Sequence, residues 1–460
     1  MHRHFIITSL AFLLIGFLSC SKKNIDVKPI NIPKDSTSTV IPSPSKFLKE
    51  NNWIYAQMKK YYLWEESMPT EAKTDKYLEP IKYYKSLIND KQDWFSYMKS
   101  NKDDVLNFWL GTPYGYGFRF RPYKPDATKE NIFLAVSLVS QQSPAEKAGL
   151  YRGDIIQKID GNNITESNLS SLLEKLNINI TWQTTSNELK TATVAKSSYR
   201  VKPIYDTRVI EIEKKKIGYF AFTQFLHEID NDLRAVFNNF KAQKIDELIL
   251  DLRFNPGGFT PNAEVVGSLI VKNLNPNEKM FGGHTNKVQT LESQSKPDGN
   301  KDGRNWTNES ANLNTLNRVY IITSKSTSSS SELVINCLKT KMEVILIGEN
   351  TLGKNVISTI ITDETGQFPF VIMPAYSTIE NSKGESYYGR KEGFIPDFLV
   401  QDDILPYYPI GNQNETLLKK TLEIIQGNLS TNIKVDSGFY RVNFLDKNHH
   451  YDSHTPFVSN

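Results

Sequence analysis

Residues 318–354 read RVYIITSKSTSSSSELVINCLKTKMEVILIGENTLGK. Two short apolar runs, Arg318-Val-Tyr-Ile-Ile-Thr323 and Glu343-Val-Ile-Leu-Ile-Gly348, flank a helical segment from Glu332 to Leu338. Near-continuous runs rich in Ile, Val and Leu predict strands buried on both faces. A third such run, Glu247-Leu-Ile-Leu-Asp-Leu-Arg253, stops at Asn255-Pro-Gly-Gly258. Upstream, Lys216-Ile-Gly-Tyr-Phe-Ala-Phe-Thr-Gln-Phe225 predicts another strand, and Asp232 to Phe240 is amphipathic. Strands alternating with helices imply an α/β core with a mixed, partly parallel sheet over residues 203–428. Within it, 276–316 is polar and Asn-rich, and Ser293 to Asn314 holds no apolar run, which predicts an inserted surface loop.

Both turns that follow the strands in the opening stretch carry reactive groups. Ser326-Thr-Ser-Ser-Ser-Ser-Glu332 lies between a strand and a helix, where helix N-terminal amides can stabilise an oxyanion. A serine hydroxyl is a weak nucleophile without a base. Gly348-Glu-Asn-Thr-Leu-Gly-Lys354 supplies a lysine, which becomes a base when desolvation lowers its pKa from about 10.4 toward neutrality. Each segment alone has a plainer reading. Ser329-x-x-Glu332 is also a capping box, and Lys354 is also a turn lysine. Gly348 to Lys354 fits the first seven positions of a phosphate loop, but Asn355 stands where the magnesium-binding Ser or Thr belongs.

Residues 113–202 differ in character. Tyr114-Gly-Tyr-Gly-Phe-Arg-Phe120 is Gly-punctuated and becomes a strand, and Ile132-Phe-Leu-Ala-Val136 is another. In Ser143-Pro-Ala-Glu-Lys-Ala-Gly-Leu150, Ser143 suits the N-cap, Pro144 the first turn and Gly149 the end of a short helix. Arg152 to Gly161 is a strand running into a turn. The loop Gly115, Tyr116, Gly117, Phe118, the Ser143–Leu150 segment and Gly153-Asp-Ile-Ile156 through Asp160-Gly161 resemble a PDZ domain of the bacterial protease-associated kind. That resemblance implies that the loop amides hold a peptide's terminal carboxylate while the neighbouring strand edge pairs with the peptide. Residues 46–112 look helical, and their clustered Trp, Tyr and Met residues read as a packed core.

The whole chain has 460 residues, 39% hydrophobic and 23% charged. This mixture excludes a disordered chain, a collagen and a multi-span membrane protein. A net charge of +4 leaves no electrostatic footprint for nucleic acid. Two Cys and seven His leave no disulfide framework or Cys-rich zinc site. The apolar run Phe5 to Leu18 is too short to span a bilayer and reads as a signal peptide, residues 1–19. Its end, Phe17-Leu-Ser-Cys20, resembles a bacterial lipobox, which implies a lipid on Cys20. Residues 20–45, with four prolines and a Ser/Thr run, read as a tether. The tail 429–460 has strand-like pieces and a His-rich end, and reads as docked or frayed.

Taken in order, residues 46–428 resemble the C-terminal-processing (tail-specific) serine peptidases, Ser–Lys enzymes that carry a PDZ domain. That family's nucleophile region reads roughly Ser-Ala-Ser-Glu, followed after a helix and strand by Gly-Glu-x-Thr-x-Gly-Lys. Laid on this chain, the resemblance implies Ser329 as nucleophile and Lys354 as base. It implies an oxyanion hole from Gly257 or Gly258 together with the Ser330 amide, and a closing segment at Gly393-Phe-Ile-Pro-Asp397 and Asn412–Leu418. It implies no cofactor and no metal. Expected partners are proteins or peptides with exposed C-terminal tails, and a membrane reached through Cys20, with the body on the periplasmic side of the cell envelope.

Two departures stand out. Ser358 occupies the place of a Gln that orients the lysine in the family, and serines replace the alanines around the nucleophile, so Ser328, Ser330 and Ser331 compete with Ser329. A catalytically inactive PDZ-bearing binding lipoprotein is therefore the second reading. A Ser-His-Asp hydrolase using His227 or His284 is the third, although no Gly-x-Ser-x-Gly elbow exists. Cys337, eight residues after Ser329, reads as a buried apolar residue.

Overall fold

A computed structural model of the chain describes residues 46–125, 128–294, 303–389, 392–402, 405, 407–428 and 440–441. The signal, lipidation and tether readings at 1–45, and most of the tail, lie outside these residues. Among the described residues, no helix is long and apolar enough to cross a membrane.

The first segment holds α1 (Leu48–Tyr61), α2 (Pro80–Ser86), the short strand β1 (Tyr97–Lys99) and α3 (Lys102–Trp109). Its aromatics pack as a core: Tyr62, Tyr83 and Tyr84 are buried with Ile54 and Met58. The core is not self-contained. Phe370 and Ile372, far along the chain, belong to it.

The next segment contains β2 (Phe118–Lys124), β3 (Asn131–Val139), α4 (Pro144–Lys147), β4 (Ile155–Ile159), β5 (Asn162–Thr165), α5 (Leu169–Glu174), β6 (Asn177–Gln183) and β7 (Leu189–Ala195). The strands form one antiparallel sheet around a core that includes Phe118, Leu134, Ile156, Leu172 and Trp182. Ser143 caps α4 by accepting from the Glu146 amide at 3.2 Å, and Gly149 follows with φ +85°. Leu176 is exposed because α5 ends at Glu174.

The largest segment comprises β8 (Ile204–Ile212), β9 (Lys215–Phe222), α6 (Asp230–Gln243), β10 (Glu247–Asp251), α7 (Thr260–Ile270), β11 (Arg318–Thr323), α8 (Ser330–Leu338), β12 (Glu343–Gly348), β13 (Val356–Ser358), β14 (Val371–Met373), β15 (Ala375–Thr378), β16 (Phe398–Leu399) and α9 (Thr416–Ile425). The main sheet runs β8-β9-β10-β11-β12-β16. Only β8–β9 is antiparallel; every other neighbour is parallel.

Side-chain alternation along the strands builds two cores. Leu248, Leu250, Val319 and Ile321 face α6, α7 and α8. Ile249, Tyr320, Ile322 and Ile347 face α9 through Leu417, Leu418 and Leu422. The sheet is thus covered on both sides, which explains why its strands read as unbroken apolar runs.

One expectation fails. Residues 303–316 are not a surface loop: Trp306, Ala311, Leu313 and Leu316 are buried in the helical-side core. The polar residues between them serve α7. Asn312 donates to the Ser268 and Val271 carbonyls at 2.7 and 2.9 Å, and the Thr307 amide donates to Ser268 Oγ at 2.8 Å. Four scattered apolar anchors among helix-capping polar groups leave no periodic signal.

Beneath the sheet ends lies a buried charge cluster. Arg152 meets Asp402 at 2.9 Å and Glu415 at 3.3 Å, and donates to the Tyr408 carbonyl at 2.9 Å. Arg253 donates to Asp251 and Glu415, each at 2.8 Å. Burial alone would raise the Asp402 carboxyl, but Arg152 and Arg253 hold it below its usual value. Removing one partner of such a network strands buried charge and costs about 3–5 kcal/mol. Arg152→Met is therefore expected to lower the thermal unfolding midpoint by several degrees in calorimetry. An unchanged midpoint would show that the cluster does not hold the domains' contact.

Candidate active site

Three loops leave the carboxyl ends of adjacent parallel strands β10, β11 and β12, where open α/β sheets place their ligand crevices. The loops are stitched together. Thr327 Oγ1 donates to the Leu252 carbonyl at 2.8 Å, the Ser328 amide to the Asn255 carbonyl at 3.2 Å, and the Leu352 amide to the Thr327 carbonyl at 3.0 Å.

The serine run is sorted by geometry. Ser328 Oγ donates to the Pro256 carbonyl at 2.7 Å, Ser330 Oγ to the Gly258 carbonyl at 2.8 Å, and Ser331 Oγ to the Asn255 carbonyl at 3.1 Å. Ser329 alone of the four donates to none of these carbonyls, and it is the one that is half-buried rather than buried. It stands at the N-cap of α8 with φ +54° and ψ −115°. A non-glycine residue in that region is strained by about 1–3 kcal/mol, and such strain collects at sites that need a side chain presented outward.

The strained turn requires glycine beside it. A Cβ on Gly257 would lie 2.8 Å from both Ser329 Cβ and the Ser330 nitrogen. Asn255 fixes this loop, donating to the Phe222 carbonyl and accepting the Gly257 amide, both at 2.9 Å. The Gly257 amide is therefore occupied. Gly258 and Ser330 line the cleft with Ser329, and their amides have no acceptor among the described residues. Of the two glycines the sequence left open, Gly258 has the available donor.

Lys354 is 2% exposed and lines the same cleft. Burial lowers its pKa to about 7, against the opposing charges of Glu332 and Asp93. The Glu332 carboxylate, fully buried, ties the two sides of the cleft. Its Oε2 accepts the Ser329 amide at 2.9 Å and the Lys354 amide at 2.8 Å. Its Oε1 accepts Thr351 Oγ1 at 2.5 Å and the Gly353 amide at 2.7 Å. Burial raises its pKa to about 7 despite these four donors. The expected closing segment braces the lysine loop from outside: the Thr351 amide donates to the Phe394 carbonyl at 3.1 Å, and the Phe394 amide to Thr351 Oγ1 at 2.7 Å.

Ser358 lines the cleft, but its buried hydroxyl has no hydrogen-bond partner. It therefore does not bond Lys354, and the orienting role expected of it is not made in this structure. His227 sits on the cleft wall with its ring 4.8 Å from Phe259, largely exposed. His284 lies elsewhere, exposed beside Glu380. Cys337 is fully buried in the core, where burial pushes its thiol pKa well up. The sequence reading missed Trp109 and Met373, which complete the apolar wall with Leu333, Ile357, Ile360 and Ile379. β1, paired to β14, brings that wall together from segments far apart in the chain.

In the PDZ-like segment, the Gly117 φ is +85°, and the amides of Tyr116 and Gly117 have no acceptor among the described residues. The Tyr116 ring is buried, with its hydroxyl donating to the Lys175 carbonyl at 2.6 Å. The loop Gly115–Phe118 thus presents no exposed side chain.

A parallel α/β core with a serine on a strained helix cap, a buried neutralisable lysine and an attached PDZ-type sheet defines the class as a PDZ-bearing serine-peptidase architecture. Residues 216–400 match the model of peptidase family S41, 49–97 match the peptidase S41 N-terminal domain, and 136–183 match the PDZ domain. The chain is similar to a carboxyl-terminal-processing protease of Picosynechococcus, 23% identical over 64% of this chain and 66% of that one. It is also similar to a chain of Staphylococcus saprophyticus described as a CtpA-like serine protease, 21% identical over 64% of this chain and 58% of that one. The chain thus spans less than two thirds of the length of these relatives. A crystal structure of a Bacteroides fragilis chain described as an S41 protease superposes with a TM-score of 0.67 at 26% identity, covering 82% of this chain and 98% of that one.

The Glu332 carboxylate is expected to control both the stability of the site and the titration of Lys354. In Glu332→Gln the four donors lose an ionised acceptor, which costs about 3 kcal/mol and lowers the unfolding midpoint. The negative charge that holds the lysine pKa up is also removed. Lysine-selective NMR should find Lys354 titrating near 7 in the wild type. The midpoint should lie lower in the variant; an unchanged or higher one would show that the carboxylate does not act on the lysine.

Proposed function

We propose that this chain is a serine endopeptidase of the C-terminal-processing type, with Ser329 as nucleophile and Lys354 as general base. The observation that carries this reading is the shared Glu332 oxygen, which receives both the Ser329 and Lys354 amides and so fixes the two residues on one cleft. With its pKa lowered to about 7, Lys354 is a neutral amine in about half of the molecules at pH 7, and in most of them above it. Ser329 Oγ attacks the scissile carbonyl as Lys354 Nζ takes its proton. The Gly258 and Ser330 amides receive the oxyanion. Lys354 then returns the proton to the leaving amine, and water hydrolyses the acyl-enzyme. The loop Gly115–Phe118 receives the carboxylate of a substrate tail on its free amides, and the tail pairs with the edge of β2. Cys20 carries a lipid that holds the body at a membrane of the cell envelope, on the periplasmic side.

A second reading is favoured by one observation, the unbonded Ser358 hydroxyl. In it the chain binds tails without cleaving them. Fluorophosphonate labelling of the purified full chain separates the two. The catalytic reading expects an adduct at Ser329, lost in Ser329→Ala and reduced at least about 100-fold in Lys354→Ala, while His227→Ala labels normally. No adduct on well-folded protein would favour the binding reading.

The pH profile follows from the lysine. Below about 7 Lys354 is an ammonium and cannot accept the serine proton; above it the amine is free. Labelling of the wild type is expected to rise as pH increases through about 7 and then level off. A profile rising only near the ordinary lysine value would show that the buried amine is not the base.

A further inference from the structure

We propose that Asp93, on the turn just before β1, is the positioning residue of Lys354, filling the place that Ser358 leaves empty. The inference rests on the reading of Lys354 as the general base.

The turn is pinned against the lysine loop. Asp93 Oδ1 accepts the Phe95 and Ser96 amides, each at 2.9 Å. Ser96 Oγ accepts the Ala375 amide at 2.7 Å. Ala375 begins β15 and is the residue paired with Ser358 on β13. Phe95 is buried in a small cluster with Val356 and Ala375, against Leu352. Leu352 and Val356 flank Lys354, two residues before it and two after. The first segment of the chain thus reaches both sides of the base through one turn.

The carboxylate on this turn is only half used. Asp93 is 4% exposed, and its Oδ2 is buried with no hydrogen-bond partner. A buried carboxylate oxygen without a donor is costly unless an opposite charge faces it. The groups that act on Asp93 are Lys354 and the phenols of Tyr62 and Tyr84. Burial raises both phenols well above their ordinary value, and the nearby carboxylate adds to this, so both stay neutral. The Tyr62 hydroxyl also accepts the Asn89 amide at 2.9 Å. Lys354 is the one cation among these three groups.

Lys354 is acted on by two acids, Glu332 from α8 and Asp93 from the first segment. Their parts differ. Both Glu332 oxygens are taken by three backbone amides and the Thr351 hydroxyl, so this acid holds the lysine's backbone. The phenol beside Glu332, Tyr388, is also kept neutral by burial. Asp93 keeps an uncommitted oxygen for the side chain. Ser358, whose hydroxyl is unbonded, gives the amine no such hold. The segment that matches the peptidase S41 N-terminal domain, 49–97, therefore supplies part of the active site.

The test compares the full chain with Asp93→Asn, which keeps an acceptor for the Phe95 and Ser96 amides but removes the charge. Asp90→Asn, at an exposed position, is the control. Lysine-selective NMR follows the Lys354 titration, and fluorophosphonate labelling follows the nucleophile across pH. Removing a negative charge disfavours the ammonium. In Asp93→Asn the Lys354 midpoint is therefore expected to fall below about 7 by at least about 0.5 pH unit. The labelling profile should move down by the same amount, and its high-pH plateau should drop roughly 10-fold as the amine loses its hold. Asp90→Asn should match the wild type in both. An unchanged Lys354 midpoint in folded Asp93→Asn overturns the proposal, even if labelling is lost, because that loss would then be structural. A lowered midpoint in a chain whose wild type takes no label keeps the pairing and instead overturns the peptidase reading. If Asp93→Asn does not fold, the Asp93 carboxyl carbon is followed in the wild type. It should shift as pH passes about 7 and lose that shift in Lys354→Met; no shift, or the same shift in both, overturns the proposal.

Discussion

A single buried carboxylate organises this cleft. Glu332 sits one turn into α8 with no solvent contact, and its two oxygens are saturated by four donors from two separate loops. A carboxyl in such a place ionises as low as about pH 7 only because its lone pairs are engaged. The consequence is geometric. The backbone at Ser329 and the backbone at Lys354 cannot move independently, since both amides hang on one oxygen. The carboxylate also sets the electrostatics. It opposes the burial that drives the lysine toward neutrality, so that Lys354 is neither a permanent cation nor a group stripped of basicity.

The serines around Ser329 supply the second constraint. Three hydroxyls bond carbonyls of the Asn255–Gly258 loop, and this closes the loop onto the start of α8. Each is a modest interaction of about 1 kcal/mol, but together they fall within the range needed to hold a strained N-cap. The tight approach of Gly257 to Ser329 Cβ shows how little room remains. In this light the serine run is a fastening, not a flexible linker. Replacing the smaller residues expected there by serine adds donors where the opposite loop offers carbonyls.

Much of this was legible in the sequence, for stated reasons. The unbroken apolar runs at 247–253, 318–323 and 343–348 reflect strands covered on both faces, and parallel order then sends their following loops to one edge. The family resemblance pointed to Ser329 and left Ser328, Ser330 and Ser331 in competition; that these three hydroxyls bond carbonyls depends on which carbonyl lies opposite, which no spacing encodes. The same holds for Gly258 over Gly257, decided by the side chain of Asn255. Trp109 and Met373 reach the cleft through a long-range strand pairing, β1 with β14, that three-residue strands do not announce. The buried stretch 303–316 was hidden because its polar residues cap α7 instead of marking solvent.

The strand β2 touches both roots of the cleft. Along β2, Arg119 donates to the Phe254 carbonyl at 3.3 Å, immediately before the Asn255–Gly258 loop. Two residues on, Arg121 meets Glu349 at 3.4 Å, at the start of the lysine loop. Alternation along a strand puts both arginines on one face, so both contacts are made by the side of β2 turned toward the core. Arg152, in the same sheet domain, anchors the buried charge cluster that holds Arg253 one residue before Phe254. Close-packed contacts of this kind transmit displacement because they have no slack to absorb it. A shift of β2 would therefore reach the Asn255–Gly258 loop and the Gly348–Lys354 loop at the same time, through two side chains, while leaving Glu332 to keep Ser329 and Lys354 in register with each other.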